Sequence, residues 1–267
     1  MKASDRHRAI LDLVLMRDAN VEQLSSALGV SEATIRRDLA QLAKERRLVR
    51  TYGGATARVG THEPEASLEE RTATQREQKE AIAQAAAAHV AEGDTVFLDG
   101  GTTCAALARH LVVRQNLHVV TNNLLAVITL ANAPGVQLTL LGGDVRSSSM
   151  STLGPLAELA LSRLSVDRAF LGADGVVAGV GLCEASAQQA WLKECIVARA
   201  ADVVVLADTE KLGRARQQHW TPLQRNWRLI TSSLASETAL QPFRDAADIA
   251  LEIAPCGAHA RSSPLAG

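Results

Sequence analysis

The chain has 267 residues, 47% of them hydrophobic and 21% charged, with a formal net charge of −1. This is ample apolar material for two domains, and it excludes a disordered or collagen-like chain. No apolar run reaches the roughly 20 residues of a membrane helix and the N-terminus is charged rather than signal-like, so the expectation is a cytoplasmic protein without a membrane partner. Cys104, Cys183, Cys195 and Cys256 form no CxxC pair, so ordinary thiols are expected, with no metal and no cofactor. Charge is unevenly spread: residues 1–60 carry 11 Lys/Arg against 7 Asp/Glu, and residues 61–267 carry 17 against 22. A basic module on an acidic body suits contact with a polyanion through one end.

In chain order, Ile10, Leu13 and Val14 predict an apolar stripe on a first helix over about residues 5–17. Asn20 predicts the N-cap of a second helix, Val21–Leu28, with Gln23 in the capping-box position. Gly29 is placed to end that helix in the left-handed region. Ser31 then caps a third helix whose buried face is Ile35, Leu39 and Leu42. That leaves Glu32, Ala33, Thr34, Arg36 and Arg37 on the exposed N-terminal half, where a recognition helix meets base edges and phosphates. Residues 48–55 follow as strand, glycine turn and return strand, a wing whose Arg50 and Tyr52 would lie against the DNA backbone or minor groove. The plain alternative is a three-helix cap with solvated arginines. The conjunction of cap, glycine turn, arginine pair and wing favours double-stranded DNA as the partner of residues 1–58.

Residues 56–70 carry Gly60, Pro64 and several acids without a helical stripe, and the connection is assigned to 59–75. Strong helix formers run from Arg71 to Ala91 and predict one helix there. From residue 76 to 253 short apolar runs feed small polar turns: Thr95–Leu98 into Asp99-Gly100-Gly101-Thr102-Thr103, His118–Val120 into Thr121-Asn122-Asn123, Val136–Leu141 into Gly142-Gly143, Arg168–Leu171 into Gly172-Ala173-Asp174-Gly175, and Val203–Leu206 into Ala207–Lys211. Doubly buried strands alternating with helices predict a parallel α/β sheet, whose ligands bind beyond the carboxyl ends of the strands. Residues 254–267 read as a loose tail.

Gly100-Gly101-Thr102-Thr103 is the sharpest of these turns. Glycines allow close approach of backbone to an oxyanion, the hydroxyls add donors, and the next helix aims its N-terminal amides at the charge. No Gly-Lys-Ser/Thr follows, so it is not a nucleotide-hydrolysing loop, and the dinucleotide spacing is absent. A tight turn without a ligand is the plain alternative. Lys211 offers a cation; Asp99, Asp174 and Asp208 offer acceptors for sugar hydroxyls; Asn122 and Asn123 offer both donors and acceptors; Gly142 and Gly143 complete the expected wall. Any one of the polar residues is equally suited to cap a helix.

The order and number of these motifs, from Val30–Leu39 and Arg50–Ala55 through Leu98–Thr103, Val120–Asn123, Leu141–Gly143, Phe170–Gly175 and Asp208–Gly213, resemble the DeoR family of bacterial transcription regulators. The resemblance implies a winged helix-turn-helix followed by a Rossmann-like parallel α/β sensor similar to ribose-5-phosphate isomerase. It implies repression of a sugar-catabolism operon, a phosphorylated sugar as effector, and a homodimer or homotetramer on repeated half-sites. Lys193 joins the expected effector site on the same ground. Departures are Arg46 for a common glycine, Tyr52 for a histidine, Gln189 for an acid and Ser232 for an aspartate.

The competing reading is an enzyme, a sugar-phosphate isomerase with an appended helical domain. Such a reaction needs a carboxylate to move a proton between adjacent carbons, with acids and a lysine to steady the enediolate. Asp174 resembles one of the isomerase acids, but Leu171 stands where another belongs, and Val176–Gly179 replaces its lysine-glycine run. Glu184 is a candidate carboxylate, or simply a loop acid. An architectural DNA binder that ignores small molecules is a third reading, against which the retained Gly100–Thr103 loop and Lys211 argue. The balance favours a sensor with no catalytic residues.

Overall fold

A computed structural model describes residues 6–7, 9–10, 13, 19–44, 48–51, 54–57 and 65–257. Val14, Arg46, Tyr52 and the tail beyond Gly257 lie outside them, and Arg50 is described by its backbone alone.

In the N-terminal module, helical residues at positions 6, 7, 9, 10 and 13 precede β1 (Ala19–Asn20), α1 (Val21–Leu28), α2 (Glu32–Lys44), β2 (Leu48–Thr51) and β3 (Gly54–Ala57). Ile10, Val21, Leu24, Ile35, Leu39 and Leu42 form one buried cluster, which includes the predicted Ile35–Leu42 face and Ile10, with Leu13 partly buried against it. Gly29 adopts φ +63, a left-handed turn that costs glycine nothing. β2 and β3 pair antiparallel with Arg50 opposite Ala55, giving the wing its two strands. Asn20, immediately before α1, pairs with Gly54 in β1, so the sheet runs β1-β3-β2.

One buried carboxylate holds the helices of this module together. Asp38 on α2 is 6% exposed and accepts from Arg6 Nε at 2.5 Å and from Arg6 Nη2 at 3.2 Å, with His7 Nε2 at 3.1 Å. Burial works against its charge, but the Arg6 and His7 hydrogen bonds prevail and hold it below the usual carboxylate range. A folded pKa below the unfolded one contributes stability above the unfolded value, lost as pH falls through the folded value. Asp38→Asn should therefore destabilise the module by about 1–3 kcal/mol near neutrality. It should also shrink the acid-side loss of stability; hydrogen exchange of the α2 amides against pH checks both.

The second module begins with α3 (Leu68–Ala73) and α4 (Arg76–Ala87). The single helix expected from Arg71 is broken, because Gln75 sits in the left-handed region at φ 53. The shorter helix starts inside the expected linker, at a capping box of Ser67 and Glu70. Then come β4 (Thr95–Leu98), α5 (Thr102–Leu111), β5 (Leu117–Thr121), α6 (Leu124–Leu130), β6 (Val136–Leu140), the hairpin β7 (Asp144–Arg146) and β8 (Ser151–Leu153), α7 (Pro155–Leu161) and β9 (Val166–Leu171). β10 (Gly175–Val177), β11 (Gly181–Glu184), α8 (Ala187–Val197), β12 (Ala200–Leu206), β13 (His219–Pro222), β14 (Trp227–Ser232), α9 (Glu237–Arg244) and β15 (Ile249–Ala254) complete it.

Seven strands form one sheet in the order β15-β14-β12-β9-β4-β5-β6, every neighbouring pair parallel. Alternate residues face opposite layers: Val96 and Leu98 pack with Ile82, Leu107 and Leu130, while Phe97 packs with Leu161, Leu192, Ile196 and Phe243. The strand order reverses direction between β4 and β9. In open parallel sheets that reversal opens a crevice beyond the strand ends. No helix among the described residues is long and apolar enough to cross a membrane.

Candidate functional site

A cleft enclosing about 520 Å³, part of it open to solvent, lies at this reversal. Gly100 to Cys104 after β4, Gly172 to Asp174 after β9, and Asp208 and Lys211 after β12 line it, joined by Glu184, Gln189 and Lys193. Gly101 has φ +122, which leads the chain into α5, and no side-chain cap satisfies the first amides of that helix. Uncapped N-terminal amides and the helix dipole favour an anion at this spot.

Beneath the cleft lies a buried ion cluster. Lys193 Nζ is 2.9 Å from Asp99 Oδ2 and 2.7 Å from Glu184 Oε1, and all three side chains are at most 4% exposed. Asp99 also accepts from Gly100 N at 2.8 Å and Gly172 N at 3.1 Å, so both its oxygens are engaged. Burial lowers a lysine's pKa, but Asp99 and Glu184 together reverse this and hold Lys193 charged well above its ordinary value. Burial pushes the Glu184 carboxyl up to about 8 against the pull of Lys193, and Asp174 and Asp99 add to the rise. Cys104, fully buried, is driven far from its thiolate by burial.

The expected effector residues fall into three groups. Gly100, Gly101, Thr102, Thr103, Asp174, Lys193, Asp208 and Lys211 share the cleft. Asp99 sits below, occupied by Lys193 and two backbone amides. Asn122, Asn123, Gly142 and Gly143 lie outside the cleft lining. Asn123 is wholly buried: its amide nitrogen donates to the carbonyls of Asp99 and Gly101, and its oxygen caps α6 through Leu125 N and Ala126 N. Asn122 donates to Thr152 O at 3.2 Å. Gly143, at φ +103, has Leu153 O only 2.3 Å from where a Cβ would stand. The β7–β8 hairpin thus covers the ends of β5 and β6, and these four residues build that cover.

Four polar cleft residues, Glu184, Arg71, Lys79 and Gln189, are not among the expected effector residues. Glu184 is neither a free base nor an exposed loop acid but a 2% exposed partner of Lys193. Arg71 and Lys79 come from the connecting segment; their pattern in sequence is that of ordinary helix surface, and only the break at Gln75 turns them inward. Gln189, standing for the expected acid, lines the cleft with a buried Oε1 that has no hydrogen-bond partner.

At the other end of the chain, Ser31 Oγ accepts from Thr34 N at 3.3 Å and contacts Thr34 Oγ1 at 2.9 Å, the expected cap. Glu32, Ala33, Arg36 and Arg37 are exposed and Thr34 half-buried. Arg36 Nη2 meets Glu32 Oε2 at 2.6 Å, one turn apart. This face offers cations and hydroxyls at the start of a helix, as groove binding requires.

Known proteins match along both modules. The profile described as "DeoR-like helix-turn-helix domain" matches residues 6–59, and "DeoR C terminal sensor domain" matches residues 74–233. A Bacillus subtilis (strain 168) protein named "Uncharacterized HTH-type transcriptional regulator YulB" is 35% identical over 246 residues, 92% of this chain and 95% of that one. The "Glycerol-3-phosphate regulon repressor" of Escherichia coli (strain K12) is 34% identical over 219 residues, 80% and 84% of the two chains. Among solved structures, ribose 5-phosphate isomerase A from Methanocaldococcus jannaschii gives a TM-score of 0.39 at 21% identity, over 52% of this chain and 55% of that one.

The high carboxyl pKa at Glu184 has a measurable consequence. The folded carboxyl keeps its proton where the unfolded one has lost it, so stability falls as pH rises from the ordinary carboxylate range to about 8. Glu184→Gln, which keeps shape and removes the titration, should flatten the decline in melting temperature across that window. Parallel slopes for variant and wild type would contradict the assignment.

Proposed function

Because the chain belongs to the DeoR family of transcription regulators, we propose that it represses a sugar-catabolism operon and that a phosphorylated sugar alters its hold on DNA. The observation that carries this reading is the uncapped N-terminus of α5 at the sheet's reversal point, with Gly100 to Thr103 and Lys211 around it. A phosphate dianion on those amides is the ligand chemistry that helix termini and glycine turns accommodate best. Asp174 and Asp208, both buried at the cleft wall, supply acceptors for sugar hydroxyls. Arg36, Arg37 and Thr34 contact the operator, Glu32 and Ala33 tune base choice, and the wing bearing Arg50 and Tyr52 steadies the complex. The protein acts in the cytoplasm as a homodimer or homotetramer on repeated half-sites.

A sensor fits the cleft better than an isomerase does. Proton shuttling needs a carboxylate free to approach the substrate carbons. Asp99 and Glu184 are both tied to Lys193, and Leu171 is wholly buried in the apolar layer where the isomerase pattern has an acid. Purified protein should leave sugar phosphates unchanged, and turnover of any of them would restore the enzyme reading.

Arg36→Ala combined with Arg37→Ala should weaken operator binding and reduce its salt slope by about one unit per lost phosphate contact. Gel retardation across a salt series reads this directly. Thr102→Val or Lys211→Ala should leave retardation intact in the absence of sugar phosphate. Each should raise the effector concentration needed for a response by about tenfold or more, the scale of one charge-assisted contact. A wild-type midpoint in either variant would remove that residue from the site.

A further inference from the structure

The segment that leads from the DNA-binding module is itself part of the cleft wall. Glu65 stands eight positions after Ala57, the last residue of the wing. Its carboxylate meets Arg71 Nη2 at 3.3 Å, accepts from Arg146 Nη1 at 3.0 Å and Ser148 Oγ at 3.2 Å, and so ties the segment to the β7–β8 hairpin. Arg71 also donates to the Ser148 carbonyl. The carbonyl of Arg71 accepts from Lys79 Nζ and, at 3.4 Å, from Thr102 Oγ1 of the anion loop. Gln75 Nε2 reaches Glu210 Oε1 at 2.7 Å, and Gln78 Oε1 accepts from Thr209 N at 3.2 Å. Residues 65–79 therefore touch two of the cleft loops, after β4 and after β12, and the β7–β8 hairpin beside them.

Two cations of this segment are incompletely matched. Lys79 is 7% exposed, and its ammonium is held by backbone carbonyls, Arg71 O and Thr74 O at 2.7 Å, with no carboxylate at ion-pair distance among the described residues. Among the described residues, Arg71 has one carboxylate partner, Glu65, which it shares with Arg146, and its Nε–H is buried without an acceptor there. Both residues line the cleft with Gly100 to Thr103 and Lys211. Buried donors and cations left without a counter-charge are unfavourable, and an oxyanion at the α5 terminus supplies what both lack. Burial, together with Lys211 and Arg71, lowers the Lys79 pKa although Asp208 opposes this, which fits the same deficit.

We propose that the effector's anionic group is bound from two sides, by the Gly100–Thr103 amides of the sensor and by Arg71 and Lys79 of the connecting segment, so that the ligand itself clamps the path to the DNA-binding module. This rests on the anion-site reading above and adds to it the ligand's grip on the connector. A ligand shifts only states that it binds differently. The state with residues 65–79 docked offers the anion two cations that an undocked segment withdraws, and this is such a difference.

The test uses the full chain and inorganic phosphate as probe, with binding read by calorimetry and segment docking by hydrogen exchange. In the wild type, phosphate should slow exchange both at 100–104 and across 65–79. Arg71→Met should bind phosphate about tenfold more weakly, and phosphate should then protect 100–104 while leaving 65–79 unprotected. Glu65→Gln separates charge from packing. It removes the carboxylate that competes for Arg71, so phosphate affinity should hold or rise, whereas a purely structural role for the segment makes Glu65→Gln as damaging as Arg71→Met. Equal weakening by both variants, unchanged affinity in Arg71→Met, or protection confined to 100–104 in the wild type would each overturn the clamp while leaving the anion site standing. If wild-type protein and Thr102→Val are alike in failing to bind phosphate, the anion-site reading falls, and the clamp with it.

Discussion

The ammonium of Lys193 sets the constraint on which the sensor's working end is built. A charge taken that far from water costs several kcal/mol unless it is paired and hydrogen-bonded. Two acidic side chains from distant parts of the chain hold it: the Asp99 carboxylate after β4, and the Glu184 carboxyl group at the end of β11. Asp99 simultaneously accepts from Gly100 N and Gly172 N, the first residues of the two loops that flank the reversal in strand order. One lysine on α8 therefore fixes the floor under both loops, and the uncapped start of α5 is presented in a set position. A preorganised terminus of this kind binds an anion without first having to be ordered. The arrangement also accounts for the high Glu184 pKa: burial and two nearby acids act on a carboxyl that shares its lysine.

Charge placement then separates two layers with different tasks. In the floor, Lys193 and its acids compensate one another, and their side chains are occupied by each other. In the walls, Arg71, Lys79 and Lys211 line the cleft together with Asp174 and Asp208. Asp208 already accepts from Glu210 N and Asp174 from Ala185 N, which fixes their orientation while leaving oxygen lone pairs for hydroxyls. Gln189 contributes a buried carbonyl oxygen without a partner, where the family pattern has an acid. An amide there offers donors as well as an acceptor, and it carries no charge to repel a phosphate.

How much of this was legible in sequence depended on range. The helix-turn-helix rests on contacts within a few turns of chain, so caps, the Gly29 turn and the Ile35–Leu42 stripe announced it. Strands β4, β5, β6, β9 and β12 were visible as apolar runs, and their following turns as polar breaks. Which turns belong to the cleft was not visible. Asn122-Asn123 and Gly142-Gly143 look as suitable as Gly100–Thr103 until strand order puts β5 and β6 on the far side of β4, under the β7–β8 hairpin. Glu184 reaches Lys193 through the β10–β11–β13 sheet, which carries no strong periodic signal. Arg71 and Lys79 were concealed for a local reason: a left-handed Gln75 breaks an otherwise ideal helical run, and neither glycine nor proline marks the spot.

The same logic of paired and unpaired charge governs how strongly the two modules can influence each other. On the recognition helix, the Glu32–Arg36 pair is exposed and of the kind worth only about 0.3–0.5 kcal/mol. Such a pair can be broken at little cost, whereas the buried Asp38 contacts tie α2 to the first helix. Nothing on this face requires the effector, so regulation has to reach it through the connection. A single charge-assisted contact to a ligand is worth about tenfold, and allosteric coupling commonly spans about 5- to 150-fold. One connector cation would thus reach only the lower part of that range, and two reach its upper part. A chain that places Arg71 on α3 and Lys79 on α4, both lining the cleft, has the means for coupling of that size.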